Sequence, residues 1–449
     1  MKKILLVYLP FCTPATPPYS ITAMQGFLQA NTSERIDVLD LNLEFHMLKF
    51  PEFHKYCMNS VKNYSQETKN YLKISAQTYS YNNSQVVEGN KPELFEELLE
   101  KITVEKPDIV AFSIVYSSQA FYARSMLQSL KKLNIVSVIG GPAINSKLIE
   151  LADHTFNEIE FLEFINKVDK KITWFPDFSI WKKEYFTPYP VIPLKTTSTC
   201  FYRGCAYCSH FSHTPYEEYD LDMLKKAIIK SGKKHFFLID DMISRQRLLQ
   251  FAEMIKPLGC YWTCQLRPTK DYDFNTLKTL YESGLLMIMW GVESASERIL
   301  KLINKGTNPN DISVVLKNSY DAGISNVAYI LFGFPTETQE EFMDTISFLE
   351  ENGEYIDLVS PSVFGLQRNT PIYKNPKKYG ITNIIEEERT ALEPKITYEI
   401  SSGLTKLESV QLKKENKKRI EAINKYPKSM NFFREHMLCR LSDERGKHS

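Results

Sequence analysis

"TTSTCFYRGCAYCSHF", residues 196–211, places three cysteines within nine positions: Cys200, Cys205 and Cys208. The other five, Cys12, Cys57, Cys260, Cys264 and Cys439, are scattered along the chain. An isolated cysteine is usually an inert core residue. Three thiols on one short stretch, beside Gly204 and polar neighbours, ask for another explanation. A structural zinc site wants four ligands, commonly in two pairs, so zinc would need His210 or His213 as the fourth. A redox Cys-x-x-Cys pair would leave one thiol idle. An iron–sulfur cubane prefers thiolates, and three of them leave one iron open for a further ligand. Spacing alone leaves cubane and zinc both open, with the cubane ahead.

The flanks give the loop a place. It follows the apolar run "VIPLKTTST", and strand-like and helix-like segments then alternate. "HFFLIDD", "YWTCQLRP", "LLMIMWGVES", "NVAYILFGFP" and "DLVSPSVF" read as strands, with helical periods between them. With the first, that makes six strands. The pattern predicts an open, partial (β/α)6 barrel over 191–385, in which chemistry gathers at the carboxyl ends of the strands. The cysteine loop, Asp240, Asp241, Arg267, Glu293 and the turn Gly333-Phe334-Pro335 all fall at such ends.

The N-terminal part alternates in the same way. "KKILLVYLP", "IDVLDLN", "PDIVAFSIVY" and "IVSVIGGPA" read as parallel strands of a Rossmann-like α/β domain over 1–165, the last ending in Gly140-Gly141-Pro142. An insert at about 50–95, rich in Tyr, Asn, Ser and Lys, reads as a mobile loop or a cover. Prolines and aromatics from 166 to 190 predict an extended linker. Residues 386–449 read as a helical, partly basic tail.

Composition bounds the function. The chain has 449 residues, 43% hydrophobic and 24% charged, with 55 Lys+Arg against 54 Asp+Glu. That balance makes no case for a nucleic-acid partner, and no apolar run reaches the length of a membrane span. The short apolar start "MKKILLVYLPF" meets Pro10 and reads as a buried strand instead of a signal sequence. A cytoplasmic location with reduced thiols is the expectation.

Five ordered motifs carry a family resemblance: "CFYRGCAYCSHF", "FFLIDDMIS", "GVESASERILKLINKGT", "LFGFPTETQEEF" and "QRNTPIYKNPKKYG". Over about residues 1–385 the chain resembles the radical S-adenosylmethionine (SAM) superfamily, in particular members with a cobalamin-binding-type domain ahead of the barrel. Its cysteine loop is the variant with four residues between the first two cysteines. The resemblance implies that Cys200, Cys205 and Cys208 hold a [4Fe–4S] cluster whose open iron binds SAM. Tyr207 matches the aromatic near the adenine. Asp240 and Asp241 sit where relatives bind the methionine amino group, Glu293 matches an acid near the ribose or methionine, and Arg267 is a partner for the methionine carboxylate. The alternative for Asp240, Arg267 and Glu293 is an ion-pair network bracing the barrel rim.

The implied chemistry is reductive cleavage of SAM, fed by a one-electron donor such as flavodoxin or ferredoxin. The resulting 5′-deoxyadenosyl radical takes hydrogen from a carbon of a bulky substrate, foremost a ribosomally made peptide. Two fates of the substrate radical are weighed. In the leading one a thiol returns hydrogen, as in peptide epimerases, with Cys439, then Cys264 and Cys12, as donors. In the other, cobalamin delivers a methyl group. "HTFNEIEFLEF" lacks the glycines that the cobalamin pattern places after the last strand of its domain, so cobalamin is the lesser expectation. A non-enzymatic metal-binding module is the reading from a different class.

Overall fold

The computed structural model describes residues 1–59, 62–165, 174–209 and 214–448. These form two compact units: 1–193 with 226–233 and 388–395, and 194–225 with 234–387 and 396–449.

The first unit is a parallel five-stranded sheet. Strands β1 (Lys3–Tyr8), β2 (Arg35–Asp40), β3 (Ile109–Ser113), β4 (Val136–Gly140) and β5 (His154–Thr155) lie in the order β2-β1-β3-β4-β5. Ile4, Leu5, Leu6 and Val7 are all buried, because helices cover both faces of such a sheet. The order reverses between β1 and β3, so their carboxyl ends frame the switch-point crevice where these folds bind ligands.

Residues 50–95 are not a loop. Helices Pro51–Asn59 and Tyr64–Val87 occupy most of the insert. The longer helix buries Thr68, Tyr71, Ser75, Thr78, Asn82 and Val86, a regular three-or-four spacing. Most of those side chains are polar or hydroxylated, so the period is invisible to a hydrophobic pattern. Of the expected linker, 166–173 lies outside the described residues. The rest packs within the first unit: Phe186 is fully buried and the Tyr185 hydroxyl donates to Asp40 Oδ2 (3.0 Å).

The second unit is the expected open barrel. Strands β6 (Val191–Leu194), β7 (His235–Leu238), β8 (Tyr261–Leu266), β9 (Leu285–Glu293), β10 (Ser325–Phe332) and β11 (Leu358–Val363) form one sheet in sequential order, parallel from β7 to β11. Outward residues meet the helices. The Trp262 ring packs edge-on to Phe251, and Trp290 Nε1 donates to Asn326 Oδ1 (2.7 Å). By alternation His235, Tyr261, Gly291 and Tyr329 face inward.

The C-terminal region opens with a hairpin, β12 (Ile381–Glu387) with β13 (Lys395–Ile400), before turning helical. Its last helix, Arg434–His448, packs on the inner face of the barrel. Ser442 Oγ lies 2.8 Å from His235 Nε2, Arg445 Nη1 donates to Tyr281 O (2.9 Å), and the Arg434 guanidinium lies over the Tyr329 ring. This helix therefore plugs the amino-terminal floor of the barrel.

Asp40 gives the first unit a pH dependence. It caps helix Leu41–Lys49 by accepting from Leu43 N, and burial pushes its carboxyl from 3.8 up to about 7. Between those values the unfolded carboxyl has lost its proton and the native one has kept it, so stability falls as pH rises through that window. Asp40→Asn should remove this slope. Urea midpoints of both proteins at about pH 5 and about pH 7.5 check it. Equal slopes would clear Asp40 of the effect.

Candidate functional site

The cysteine loop has almost no secondary structure of its own, so its shape is imposed by neighbours. Where β6 ends, Thr196 and Thr197 give both backbone N–H groups and both hydroxyls to Asp240 (2.7–3.1 Å). Phe201 N donates to Met242 O, and Ala206 N donates to Ile303 O (2.7 Å) while its carbonyl accepts from Ile372 N. Ala206, between the second and third cysteines, is buried against Ile303, Phe334 and Ile372. Phe334, in the Gly-Phe-Pro turn, thus backs the loop and is not part of its chemistry.

A second wall comes from "INKGT". Tyr202 donates to Asn304 O, and Asn304 Nδ2 donates to Gly204 O (both 2.7 Å). The Arg267 guanidinium stacks on Tyr202 (3.5 Å to the ring centre), and its Nη1 donates to Lys305 O (3.0 Å). A Cβ on Gly306, at φ +69°, would lie 2.8 Å from the Tyr202 hydroxyl and 3.0 Å from Arg267 Nη1. Only glycine lets the chain pass there.

Above the sheet the Glu293 carboxylate accepts from Tyr207 (2.9 Å) and from Lys305 Nζ (2.7 Å), with both members of the ion pair buried. Gly291 makes the room: its Cβ would sit 2.7 Å from Lys305 Nζ. Glu293 holds φ at +67°, an uncommon conformation for a residue with a side chain and one that gathers at functional sites. The pair holds Lys305 charged despite its burial.

The structure thus gathers Cys205, Tyr207, Arg267 and Glu293, and adds Lys305, which the sequence reading missed. The signals for Lys305 were a glycine on its heels and a second glycine opening "GVES". Asp240 is 0% exposed and committed to Thr196 and Thr197, so its carboxylate braces the loop. Asp241 lies beside it, half-buried, where Gln265 Nε2 ties down the main chain of both acids (2.8 and 3.3 Å). Cys264 is fully buried on the outward face of β8, opposite to Arg267, as strand alternation requires. Cys439 is buried on the plugging helix. Cys12 belongs to the first unit, 3.6 Å from the Tyr8 hydroxyl, and burial pushes its thiol up to about 12.

Cys200, Cys205 and Cys208 are half-buried and in no disulfide. Among the described residues no three His, Cys, Asp or Glu side chains are gathered as ligands for one metal ion. His210 and His213, the expected fourth zinc ligands, lie outside the described residues. Three thiols on one loop are the donor set of an iron–sulfur cubane. Lys305 and Arg267 bring positive charge to Cys205, as a thiolate-bound cluster needs. The residues fit that group.

The carboxyl edge of the first unit was tested for a corrin in the same way. Thr13, Tyr116, Ser117, Gly141 and Pro142 are exposed there and form an open shelf. Gly140 and Gly141 are required by the chain itself, since their Cβ atoms would lie 2.8 Å from Phe156 O and 2.5 Å from Ile114 O. Asn157 accepts from Ile159 N and Glu160 N at the start of helix Glu158–Ile165, where the cobalamin pattern would have glycine. His46 is fully buried, His54 bonds to Glu184 O and His154 stacks on Phe156.

Comparison with known proteins agrees. Residues 194–349 match the Radical SAM superfamily. An uncharacterized methyltransferase of Pyrococcus horikoshii is 31% identical over 124 residues, 27% of either chain, so the match spans about a quarter of that relative. The cobalamin-dependent S-adenosylmethionine radical enzyme OxsB shares the fold over 93% of this chain and 67% of its own, with TM-score 0.63 and 13% identity. The radical SAM methyltransferase TsrM from Kitasatospora setae does so over 88% and 83%, with TM-score 0.61 and 13% identity. The cysteine loop thus heads a stretch that matches the Radical SAM superfamily, and the fold, a Rossmann-like unit followed by an open barrel, is similar to that of OxsB and TsrM.

Proposed function

We propose that the protein is a radical SAM enzyme that methylates a carbon of a bulky substrate with the help of cobalamin. The observation that carries the radical SAM part is the three-thiol loop backed by the Tyr207–Glu293–Lys305 network. When bound, the cluster and SAM supply one-electron cleavage of a sulfonium. Cys200, Cys205 and Cys208 hold the cluster, and Lys305 and Arg267 balance its charge. Tyr207 and Glu293 present a hydroxyl and a carboxylate to the cofactor from a buried setting that keeps bulk water away.

Methyl transfer is preferred because the two-domain fold is shared over most of the chain with enzymes named as cobalamin-dependent, and because the thiols are poorly placed. Cys264 faces the helices, not the barrel interior. Hydrogen return stays as the second reading on one observation: Cys439 lies on the helix inside the barrel. A ribosomally made peptide fits an open barrel, and a flavodoxin or ferredoxin suits the electron demand. No described helix is long and apolar enough to cross a membrane.

Two measurements test this. Anaerobically reconstituted enzyme should show the cluster chromophore and release 5′-deoxyadenosine on reduction, and Cys200→Ala, Cys205→Ala or Cys208→Ala should each abolish both. Normal cleavage by any one variant would remove that cysteine from the ligand set. Product from a reaction in deuterated water should carry the mass of a methyl group and need added cobalamin. A single deuterium without cobalamin would install hydrogen return instead.

The Glu293–Lys305 pair separates structure from cofactor binding. Glu293→Gln alone leaves a buried charge unpaired and should cost about 3–5 kcal/mol of stability. The double variant Glu293→Gln/Lys305→Met should regain most of it, seen in denaturant midpoints. If Glu293 also binds SAM, calorimetry will find weak affinity in the double variant even though it folds well. Restored affinity would make the pair purely structural.

A further inference from the structure

The plug inside the barrel leaves polar groups without partners. Arg434 and Glu435 open helix Arg434–His448, and Asn431 precedes it. The Arg434 guanidinium makes no ion pair or hydrogen bond among the described residues, and its Nε is buried and unpartnered. Its one contact of note is the inward-facing Tyr329 ring, 4.8 Å from ring centre to Cζ. The Tyr329 hydroxyl is buried without a partner too. Asn431 spends its amide N–H on Val359 O (2.9 Å), and its Oδ1 is left unpaired. Tyr329 pairs in register with Gly291, the residue that makes room for the Lys305–Glu293 pair. Tyr329 and the Arg434 guanidinium over its ring therefore lie on the barrel's inner wall just beneath the cofactor network, and Asn431 lies at the edge of β11.

Buried polar groups are nearly always satisfied, and an unmatched guanidinium is costly to hold away from water. In the same unit Arg247 Nε, Arg267 Nε and Glu337 Oε1 are also buried without partners, whereas Asp240, Asn326 and Glu293 are each paired. Two orphan groups in one contact on the inner face, Arg434 Nε and the Tyr329 hydroxyl, are explained by a partner that arrives from outside the chain. Arg434 supplies the planar, bidentate fork that matches a carboxylate. The Tyr329 hydroxyl adds a donor.

We propose that Tyr329 and Arg434 form a substrate subsite on the floor of the barrel that grips a carboxylate, as in an acidic residue or the carboxyl terminus of a peptide. The C-terminal helix is thus a specificity element as well as a plug. This rests on the radical SAM reading only in placing the subsite beneath the cofactor.

The test uses reconstituted full-length enzyme and two probes, N-acetyl-L-glutamate and the neutral N-acetyl-L-glutamine amide. Phenylglyoxal labelling of Arg434, read by peptide mass spectrometry, should be suppressed by the acid and not by the amide. Calorimetric affinity for the acid should fall about tenfold or more in Arg434→Met and several-fold in Tyr329→Phe, which removes one hydroxyl and keeps the ring. Arg440→Ala, on the same helix, is the control and should bind normally. Equal protection by both probes, no protection by either, or unchanged affinity in Arg434→Met and Tyr329→Phe would overturn the subsite. So would an Arg434→Met that loses SAM while keeping the acid, because the guanidinium would then belong to the cofactor. A wild-type enzyme that binds the acid but never forms 5′-deoxyadenosine would instead sink the radical SAM reading and leave the subsite standing.

Discussion

Asp240 receives four donors from Thr196 and Thr197, and the shape of the cysteine loop follows from that contact. Nine residues carrying three thiols cannot make a strand or a helix without splaying the thiols apart. The turn must therefore be fixed from outside. A fully buried carboxylate serves well, because in a low-dielectric setting each of its hydrogen bonds is strong and leaving any unmade is expensive. Arg247 approaches the same turn through Thr196 O (3.4 Å), so positive charge stands near the buried acid. The role is one of support: all four donors meet Oδ1, Thr196 N also reaches Oδ2 (3.0 Å), and the whole carboxylate is buried.

The site above it is built by compression. Gly204, Gly291 and Gly306 each stand where a Cβ would strike a functional side chain: Tyr202, Lys305 or Arg267. Small residues let three large ones crowd one small space, and the crowding fixes their orientation. Glu293 adds a backbone held in the left-handed region. Together these features make the network between Tyr207, Glu293 and Lys305 rigid before any cofactor arrives. That preorganisation is what a site needs if it is to hold a reactive species and keep water out.

The six barrel strands were legible because a sheet covered on both faces writes itself as apolar runs, and the motifs at their carboxyl ends marked the rim. The three thiols were legible from spacing. Other features were hidden for definite reasons. Helix Tyr64–Val87 buries Thr, Ser and Asn, so its period has no hydrophobic trace. Lys305 lies twelve positions from Glu293, and only the strand–helix return brings them together. The tail "SMNFFREHMLCRLSDE" reads as a helix that could fold back over the barrel, but the face it buries has no plain hydrophobic period. Its buried stripe is Phe433, Met437, Leu438 and Cys439, and only the barrel's open floor gives that stripe somewhere to go.

The plug also bears on the fate of a substrate radical. A hydrogen donor must meet the same carbon that lost its hydrogen, from a direction the substrate leaves open. Cys264 points to the wrong side of its strand, and a β-strand has no means of turning one side chain through the sheet without shifting every other residue of the strand. Cys439 is on the right side, one helical turn beyond Glu435 and deeper toward the amino ends of the strands. A substrate whose carboxylate is seated on Arg434 would stand between Cys439 and the cofactor level marked by Glu293, shielding the carbon nearest the cofactor from the thiol beneath it. Delivery from the carboxyl ends of the strands, the side on which the cysteine loop lies, meets no such obstacle. The floor that gives the barrel its polar grip thus argues for a group brought in from the cofactor side.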